Sequence, residues 1–308
     1  MSNLRSLVLI ITVVIAVELL LLARPAFPQA SPLIVDHHAV DQFSSIPDAW
    51  LAQAKALTVH YAHTSHGSQI TTGLPYLEQY IDAVRYSVAI RENGSSEGLP
   101  AIENPPALRL YDGNPPETYI TPEDYWATPD GITRTQAVAS TGHYNYSMWS
   151  WCGQQSSNSV DTVNQYLAQM AAFESQYPAM RFIYMTGHTD GTNQDNPALT
   201  LARNNNMVRD YARSNNKVLF DFADIESYDP AGNYYPTTTD ACSWCATWCN
   251  NHPADCQNLP SSCAHSHPFN CVLKAKAFWW MMARLAGWPG VGGGDTVAPA
   301  APGGLRIQ

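Results

Sequence analysis

Strand-like and helix-like segments alternate along most of this chain, and the alternation limits the folds that it can adopt. Short, mostly apolar runs predict strands at residues 57–62, 107–111, 144–151, 180–186 and 217–222. Helical patterns lie at 48–55, 74–84, 160–174, 197–214 and 273–285. The alternation predicts an α/β fold, a three-layer sandwich in which helices cover both faces of a central, mainly parallel sheet.

Polar motifs directly follow three of the predicted strands. His63–Gly67 follows the first predicted strand, Cys152 and Gly153 follow the third, and Gly187–Gly191 follows the fourth. In open parallel sheets, ligands bind beyond the carboxyl ends of the strands. We therefore expect the three motifs at one edge of the sheet, where they would form a functional site.

The segment from His63 to Gly67 has the composition of a nucleophile turn. A hydroxyl on a sharp turn between a strand and a helix is held clear of its own backbone and close to backbone N–H groups, as serine hydrolases require. Ser65 is the better candidate, because Gly67 lacks a Cβ and lets a substrate approach, whereas Ser68 is expected to cap the helix. The alternative is a polar loop with local hydrogen bonds, and His60 is interpreted as a core histidine.

The order of these motifs resembles that of the SGNH (GDSL-like) hydrolase superfamily across residues 57–288. In that superfamily the nucleophile follows the first strand, and a catalytic histidine lies near the C-terminus. Ser65 stands at the serine of the Gly-Asp-Ser block, and Gly153 stands at the glycine donor of the second block. The run from Gly187 to Asp190 stands where Gly-x-Asn-Asp is found, with Thr189 at the asparagine position.

The last block of the resemblance is Ala264-His265-Ser266-His267-Pro268, where the superfamily has Asp-x-x-His-Pro. The resemblance implies a flavodoxin-like sheet and an exported enzyme that cleaves carboxylic esters, glycan esters among them, without a cofactor. It implies that Ser65 attacks and that His267 is the base. Because alanine stands at the aspartate position, a backbone carbonyl, His265 or a distant acid is expected to orient the base, and Asp190 is counted among the catalytic residues.

The resemblance implies that Gly153, Gly187, His188 and Thr189 bind the substrate and the oxyanion. His63 and His66 join the expected set because they lie in the turn and can line a pocket there. Histidines next to a carboxylate also describe a metal site, so a His/Asp metal-dependent hydrolase is one alternative. Another is a non-catalytic surface module that binds glycan on the same fold, with tryptophans such as Trp244 and Trp248 as stacking platforms.

The two ends of the chain differ in composition from its middle. Arg5, the apolar run at 7–23 and the small residues up to Ala30 predict a signal peptide at 1–30, with an uncleaved anchor as the alternative. Residues 290–308 read as a glycine-rich linker that leads into a segment resembling the start of a fibronectin type III module. Residues 31–289 are therefore the expected hydrolase-like domain, secreted, periplasmic or on the cell surface, where the tail would link it to a larger protein.

The chain carries a formal net charge of −10. Nucleic acids and anionic membranes attract basic surfaces, so an acidic chain argues against both partners. The charge is compatible with a neutral ester or glycan as the substrate.

Six of the seven cysteines crowd into an excursion at residues 240–271. In an exported protein such a cluster is expected to form disulfides that pin irregular chain, but the sequence does not choose among the pairings. A zinc site on the thiolates is the alternative. Cys152 stands alone and is either a free thiol or a partner of the cluster.

Overall fold

A computed structural model describes residues 31–92 and 104–292. Within them, one seven-stranded sheet runs in the order β1-β7-β6-β5-β2-β4-β3, and all of its neighbouring strands are parallel. The strands are β1 (Leu33–Val35), β2 (Thr58–His63), β3 (Val88–Glu92), β4 (Leu108–Asp112), β5 (Tyr146–Ser150), β6 (Arg181–Met185) and β7 (Val218–Phe220). The predicted signal peptide and the predicted module after residue 292 lie outside the described residues.

Helices flank the sheet. They are α1 (His37–Asp41), α2 (Asp48–Ala54), α3 (Ser68–Tyr80), α4 (Pro129–Ser140), α5 (Val160–Gln176), α6 (Thr200–Ser214), α7 (Phe222–Ser227), α8 (Cys245–Asn251) and α9 (Pro268–Leu285). Helix α9 packs on α1, α2 and α3, whereas α5 packs on α6. In the described parts of the chain, no helix combines the length and the apolar character that crossing a membrane requires.

The centre of the sheet is fully buried. All six residues of β2 are buried, as expected for a strand of a parallel sheet whose two faces are covered by helices. Within β2, His60 Nε2 donates a hydrogen bond to the Gly113 carbonyl at 2.8 Å, and its Nδ1 accepts one from Ser147 Oγ at 2.7 Å. Burial lowers its pKa to about 4. The interpretation of His60 as a core histidine is confirmed.

Helices α3 and α9 approach each other closely at Gly73. A Cβ built on Gly73 would lie 2.1 Å from the Cys271 carbonyl oxygen and 2.8 Å from the Ala275 Cβ. A glycine is therefore required at this crossing. It brings the start of α9, and the loop that precedes it, against the helix that follows Ser65.

The α/β fold with a parallel sheet is confirmed. The prediction that the strand at 57–62 is the first strand is wrong, because β1 precedes it at the edge of the sheet. Strand β1, Leu33–Val35, is too short to produce a periodic signal. The sequence patterns also do not predict β3. Helix α3 starts at Ser68, six residues before the predicted start at 74, and includes Pro75.

The cysteine-rich excursion contains three disulfides, and each joins two consecutive cysteines of the excursion. They are Cys242–Cys245, Cys249–Cys256 and Cys263–Cys271. This confirms disulfides, the first of the two interpretations of the cluster. Cys152 is a free thiol and is partly buried.

Candidate active site

The register between β2 and β5 places a serine beside the free cysteine. Val59 pairs with Tyr146, and His63 pairs with Ser150. The same offset, continued two residues beyond the strands, brings Ser65 opposite Cys152. Their side chains meet there, with Ser65 Oγ 3.3 Å from Cys152 Sγ.

A chain of three side chains runs from Cys152 to a carboxylate. His66 Nδ1 lies 3.0 Å from Cys152 Sγ, and His66 Nε2 lies 3.2 Å from Asp240 Oδ2. Asp240 reaches this position because Thr239 forms an antiparallel bridge with Asp190 in the loop after β6. A thiol, an imidazole and a carboxylate in this order form a nucleophile, a base and a group that orients the base.

The charges of this arrangement favour an ionised thiol. Burial raises the pKa of Cys152, but hydrogen bonds from His66 and Ser65 and the charge of His66 outweigh it and bring the pKa to about 5. Burial lowers the pKa of His66, but the hydrogen bond to Cys152, the negative charge of Cys152 and the hydrogen bond to Asp240 together raise it by more. The lowered pKa of Cys152 and the raised pKa of His66 both favour a thiolate beside an imidazolium, the reactive state of a nucleophilic cysteine.

Three histidine rings are stacked at the site. His66 is the middle ring, with the His188 centroid 3.9 Å away at an interplanar angle of 2° and the His265 centroid 4.4 Å away at 12°. His188 Nδ1 is 2.6 Å from the Thr189 carbonyl oxygen. The rings on either side limit the rotation of His66 and hold its two nitrogens towards Cys152 and Asp240.

His265 closes the site from the excursion. Its Nε2 lies 2.9 Å from Ser65 Oγ. The residue has a φ of 61°, in the left-handed region that non-glycine residues rarely adopt. The disulfide between Cys263 and Cys271 closes the short loop that carries His265.

A buried ion pair lies beneath these loops. Glu226 and Lys274 are both 0% exposed, and Lys274 Nζ is 2.6 Å from Glu226 Oε1. Glu226 Oε2 accepts hydrogen bonds from the Thr189 N–H at 2.7 Å and from Thr189 Oγ1 at 3.0 Å. Lys274 also donates to Gln69 Oε1, and Gln69 Nε2 donates to the Ala264 carbonyl at 2.6 Å. One buried network therefore fixes the loops that carry His188 and His265.

Four of the side chains predicted for the site come together, namely Ser65, His66, His188 and His265. His267 lies elsewhere: it precedes α9, and its Nδ1 accepts a hydrogen bond from the Phe269 N–H at 3.2 Å. Among the described hydrogen bonds, none joins His267 to Ser65. Burial lowers the pKa of His267.

Asp190, Gly187 and Gly153 lie in different hydrogen-bonding surroundings. Asp190 accepts hydrogen bonds from Ser156 Oγ at 2.6 Å and Thr192 Oγ1 at 2.5 Å, which fix its own loop. The Gly187 N–H donates to Asn205 Oδ1 at 2.8 Å and is not available to an oxyanion. The exposed Gly153 opens a short 3₁₀ turn directly after Cys152, so its N–H has no acceptor within that turn.

The last of the predicted residues, His63, is part of the scaffold. Its Nε2 lies 2.9 Å from Asp112 Oδ1, and its Nδ1 lies 2.6 Å from the Thr64 carbonyl. Asp112 ends the neighbouring strand β4, so this contact ties the nucleophile turn to the adjacent strand.

Two groups of side chains are arranged so that they could hold a metal ion. Ligand atoms of His66, His188 and Asp240 all lie within 4.8 Å of one another, as do those of Asp36, His37 and Asp224. The first group shares His66 and Asp240 with the cysteine site. A metal ion there would compete with Cys152 for the same imidazole.

Sequence reasoning missed the contacts of Cys152 and Asp240 with His66. An odd cysteine in a chain rich in disulfides is itself a signal of a free thiol, and its place directly after a strand strengthens that signal. Asp240 carried no comparable signal, because its position depends on how the excursion folds back.

Searches of protein-family models, of curated proteins and of solved structures found no match to this chain. The fold and the site themselves define an α/β protein with a cysteine, a histidine and an aspartate at the carboxyl edge of a parallel sheet.

Proposed function

We propose that this protein is an exported hydrolase that cleaves carboxylic esters with the thiolate of Cys152 as nucleophile. The observation that carries the proposal is the chain of contacts from Cys152 Sγ to His66 Nδ1 at 3.0 Å and from His66 Nε2 to Asp240 at 3.2 Å. The pKa of about 5 for Cys152 supports it, because the thiol is ionised at neutral pH without a further base.

The reaction has two steps. The Cys152 thiolate attacks the ester carbonyl carbon, and the alcohol leaves with the proton of the His66 imidazolium, which gives a thioester on Cys152. A water molecule then attacks the thioester and transfers a proton to neutral His66, which releases the carboxylic acid and restores the thiolate–imidazolium pair. The Gly153 N–H is the candidate donor to the oxyanion in both steps.

Ser65 fits a supporting role better than the role of nucleophile. Its hydroxyl lies 3.3 Å from a sulfur that carries negative charge, so deprotonating Ser65 would place two like charges in contact. A neutral hydroxyl instead donates a hydrogen bond to the thiolate and accepts one from His265 Nε2. The Ser65–His265 contact also keeps the serine hydrolase expected from the SGNH resemblance as an alternative for the same reaction.

A metal-dependent hydrolase is a second candidate. The convergence of His66, His188 and Asp240 within 4.8 Å favours it. In that case the metal ion would activate water, and Cys152 would not form a covalent intermediate.

Export of the protein is part of the proposal. The three disulfides fit an oxidising compartment, and the pattern at residues 1–30 is that of an export signal. A free thiolate in such a compartment is exposed to oxidation, so assays need a mild thiol reductant that leaves the disulfides intact.

The test compares hydrolysis of p-nitrophenyl acetate by the wild type and by the Cys152→Ala and Ser65→Ala variants. We expect Cys152→Ala to lose the activity and Ser65→Ala to retain a reduced rate. Mass spectrometry after iodoacetamide should find the label on Cys152, and prior alkylation should abolish hydrolysis.

Three outcomes would overturn the thiol mechanism. Full activity of Cys152→Ala is one. Labelling of Ser65 by a fluorophosphonate, together with loss of activity in Ser65→Ala alone, would point to the serine mechanism. Loss of activity on dialysis against EDTA, with recovery on adding Zn²⁺, would point to the metal.

A further inference from the structure

A polar cleft at the side of the sheet where β7 ends has none of the residues around Cys152 in its lining. Its volume is about 420 Å³, within the range of small-molecule sites. Three residues of α6 line one wall, at spacings of three and four, namely Asn206, Arg209 and Arg213. The loop after β6 and the segment from α7 to Tyr234 supply the rest. No step of the proposed reaction uses these residues.

An aromatic stack forms one side of the cleft. Tyr228 is packed between His37, with centroids 3.6 Å apart, and Tyr234, with centroids 4.8 Å apart. Tyr234 is 37% exposed and lines the cleft. An exposed ring at the end of a fixed stack is a platform for the apolar face of a ligand, because its orientation is already set.

Other lining residues offer hydrogen-bonding groups held in place. Asp221 binds Arg209 through Nε at 2.7 Å and Nη2 at 2.8 Å, which fixes the guanidinium and leaves further N–H donors. Asp195 also lines the cleft and is exposed, and its Oδ1 accepts a hydrogen bond from the Tyr234 hydroxyl at 2.8 Å. A carboxylate has further lone pairs that can accept hydrogen bonds from a ligand.

The charges of the cleft favour a neutral ligand. Arg209 and Arg213 are balanced by Asp195 and Asp224 among the lining residues. The whole chain carries −10, which disfavours polyanions.

We infer that this cleft binds a neutral saccharide. A sugar ring has an apolar face for Tyr234, and its hydroxyls both donate to the Asp195 carboxylate and accept from Arg209. This location differs from the tryptophans considered in the sequence, since Trp244 is 4% exposed and donates to the Glu226 carbonyl. The inference is independent of the reaction at Cys152.

The test is isothermal titration calorimetry of the full chain with cellotetraose, xylotetraose, mannotetraose and chitotetraose, and with tetragalacturonate as an acidic probe. We expect at least one neutral probe to bind more tightly than the acidic probe. Tyr234→Ala should weaken this binding by about tenfold or more. Arg213→Ala, at an exposed position, should weaken it as well with an unchanged melting temperature.

The matched control is Tyr80→Ala. Tyr80 is 47% exposed and its ring contacts the ring of Tyr76, so its surroundings resemble those of Tyr234, but it is not a lining residue of the cleft. The Tyr80→Ala variant should bind the probes as the wild type does, and so should Cys152→Ala, whatever its activity. The inference is overturned by no binding of any neutral probe at millimolar concentration, by tighter binding of tetragalacturonate, or by equal losses in Tyr234→Ala and Tyr80→Ala.

Discussion

Replacing Glu226 by glutamine tests whether the buried ion pair supports the site. The substitution keeps the shape of the side chain but leaves the ammonium of Lys274 buried without its counter-charge, and both residues are 0% exposed. Removing one partner of a buried pair destabilises a protein by about 3–5 kcal/mol. For a domain of this size, each kcal/mol lowers the melting temperature by about 2–4 °C, so we expect a decrease of at least about 6 °C.

The same variant should respond to pH in a defined direction. Burial lowers the pKa of Lys274 from 10.5 to about 8, against the opposing effect of Glu226. Between those two values the unfolded chain binds more protons than the folded chain, so stability rises with pH. Without Glu226 the pKa of Lys274 falls further. The difference in melting temperature between the wild type and Glu226→Gln should therefore become smaller between pH 7 and pH 9.5, because the lysine becomes neutral.

Thermal unfolding by circular dichroism measures both effects, and Glu174→Gln is the matched control. Glu174 pairs with Lys217, but the two side chains are 20% and 22% exposed. Water reaches this pair and screens its charges, so breaking it should cost less than breaking the fully buried pair. Equal changes in melting temperature for the two variants, or a Glu226→Gln deficit that grows with pH, would refute the reasoning.

Three further predictions concern the thiol, the loop and the helix crossing. Alkylation of Cys152 by iodoacetamide should stay fast down to about pH 5 and slow below it as the thiolate is protonated. In His66→Gln the inflection should move up towards 9.0, the ordinary pKa of a cysteine thiol, and an unchanged inflection would exclude His66 as the cause of the low pKa. The double variant Cys263→Ser/Cys271→Ser should have a lower kcat with a smaller change in KM, because the loop that carries His265 is no longer closed by a disulfide. Its melting temperature should fall as expected for a loss of about 2–4 kcal/mol of stability, and an unchanged kcat would contradict this. Gly73→Ala should destabilise the fold by about 1–3 kcal/mol or more, since its Cβ would lie 2.1 Å from a carbonyl oxygen, and urea unfolding at wild-type stability would contradict it.

The fold was predictable because the central elements have long, regular patterns. The strand at 57–62 and the helix at 160–174 were placed within two residues of β2 and α5 at each end. Strand β1 was missed because three residues carry no period, and it gains its hydrogen bonds only from β7.

The convergence of the polar motifs at one edge was predictable, but the contacts within the cluster were not. Polar residues after parallel strands meet at one edge, so Ser65, Cys152 and His188 could be placed together. The choice of His265 over His267 depends on a left-handed residue and on the capping role of His267, which no spacing reveals. Glu226 follows a strand and reads as a turn carboxylate, yet it is fully buried because Lys274, 48 residues later, reaches it.

The choice between two aspartates gives the sharpest test of the catalytic arrangement. Asp190 lies next to the expected glycine block, but its carboxylate is held by Ser156 and Thr192, whereas Asp240 lies 3.2 Å from His66 Nε2. A carboxylate at Nε2 holds the proton there, so Nδ1 faces Cys152 in the state that accepts a proton from water.

Asp240→Asn should therefore lower kcat for p-nitrophenyl acetate by about 10²–10⁴-fold. It should also raise the pH at which Cys152 becomes reactive, because the imidazolium loses a stabilising charge. Asp190→Asn should leave both kcat and that pH close to the wild type. If Asp190→Asn causes the greater loss, the base is not oriented by Asp240 and the thiol, imidazole and carboxylate do not act as a unit.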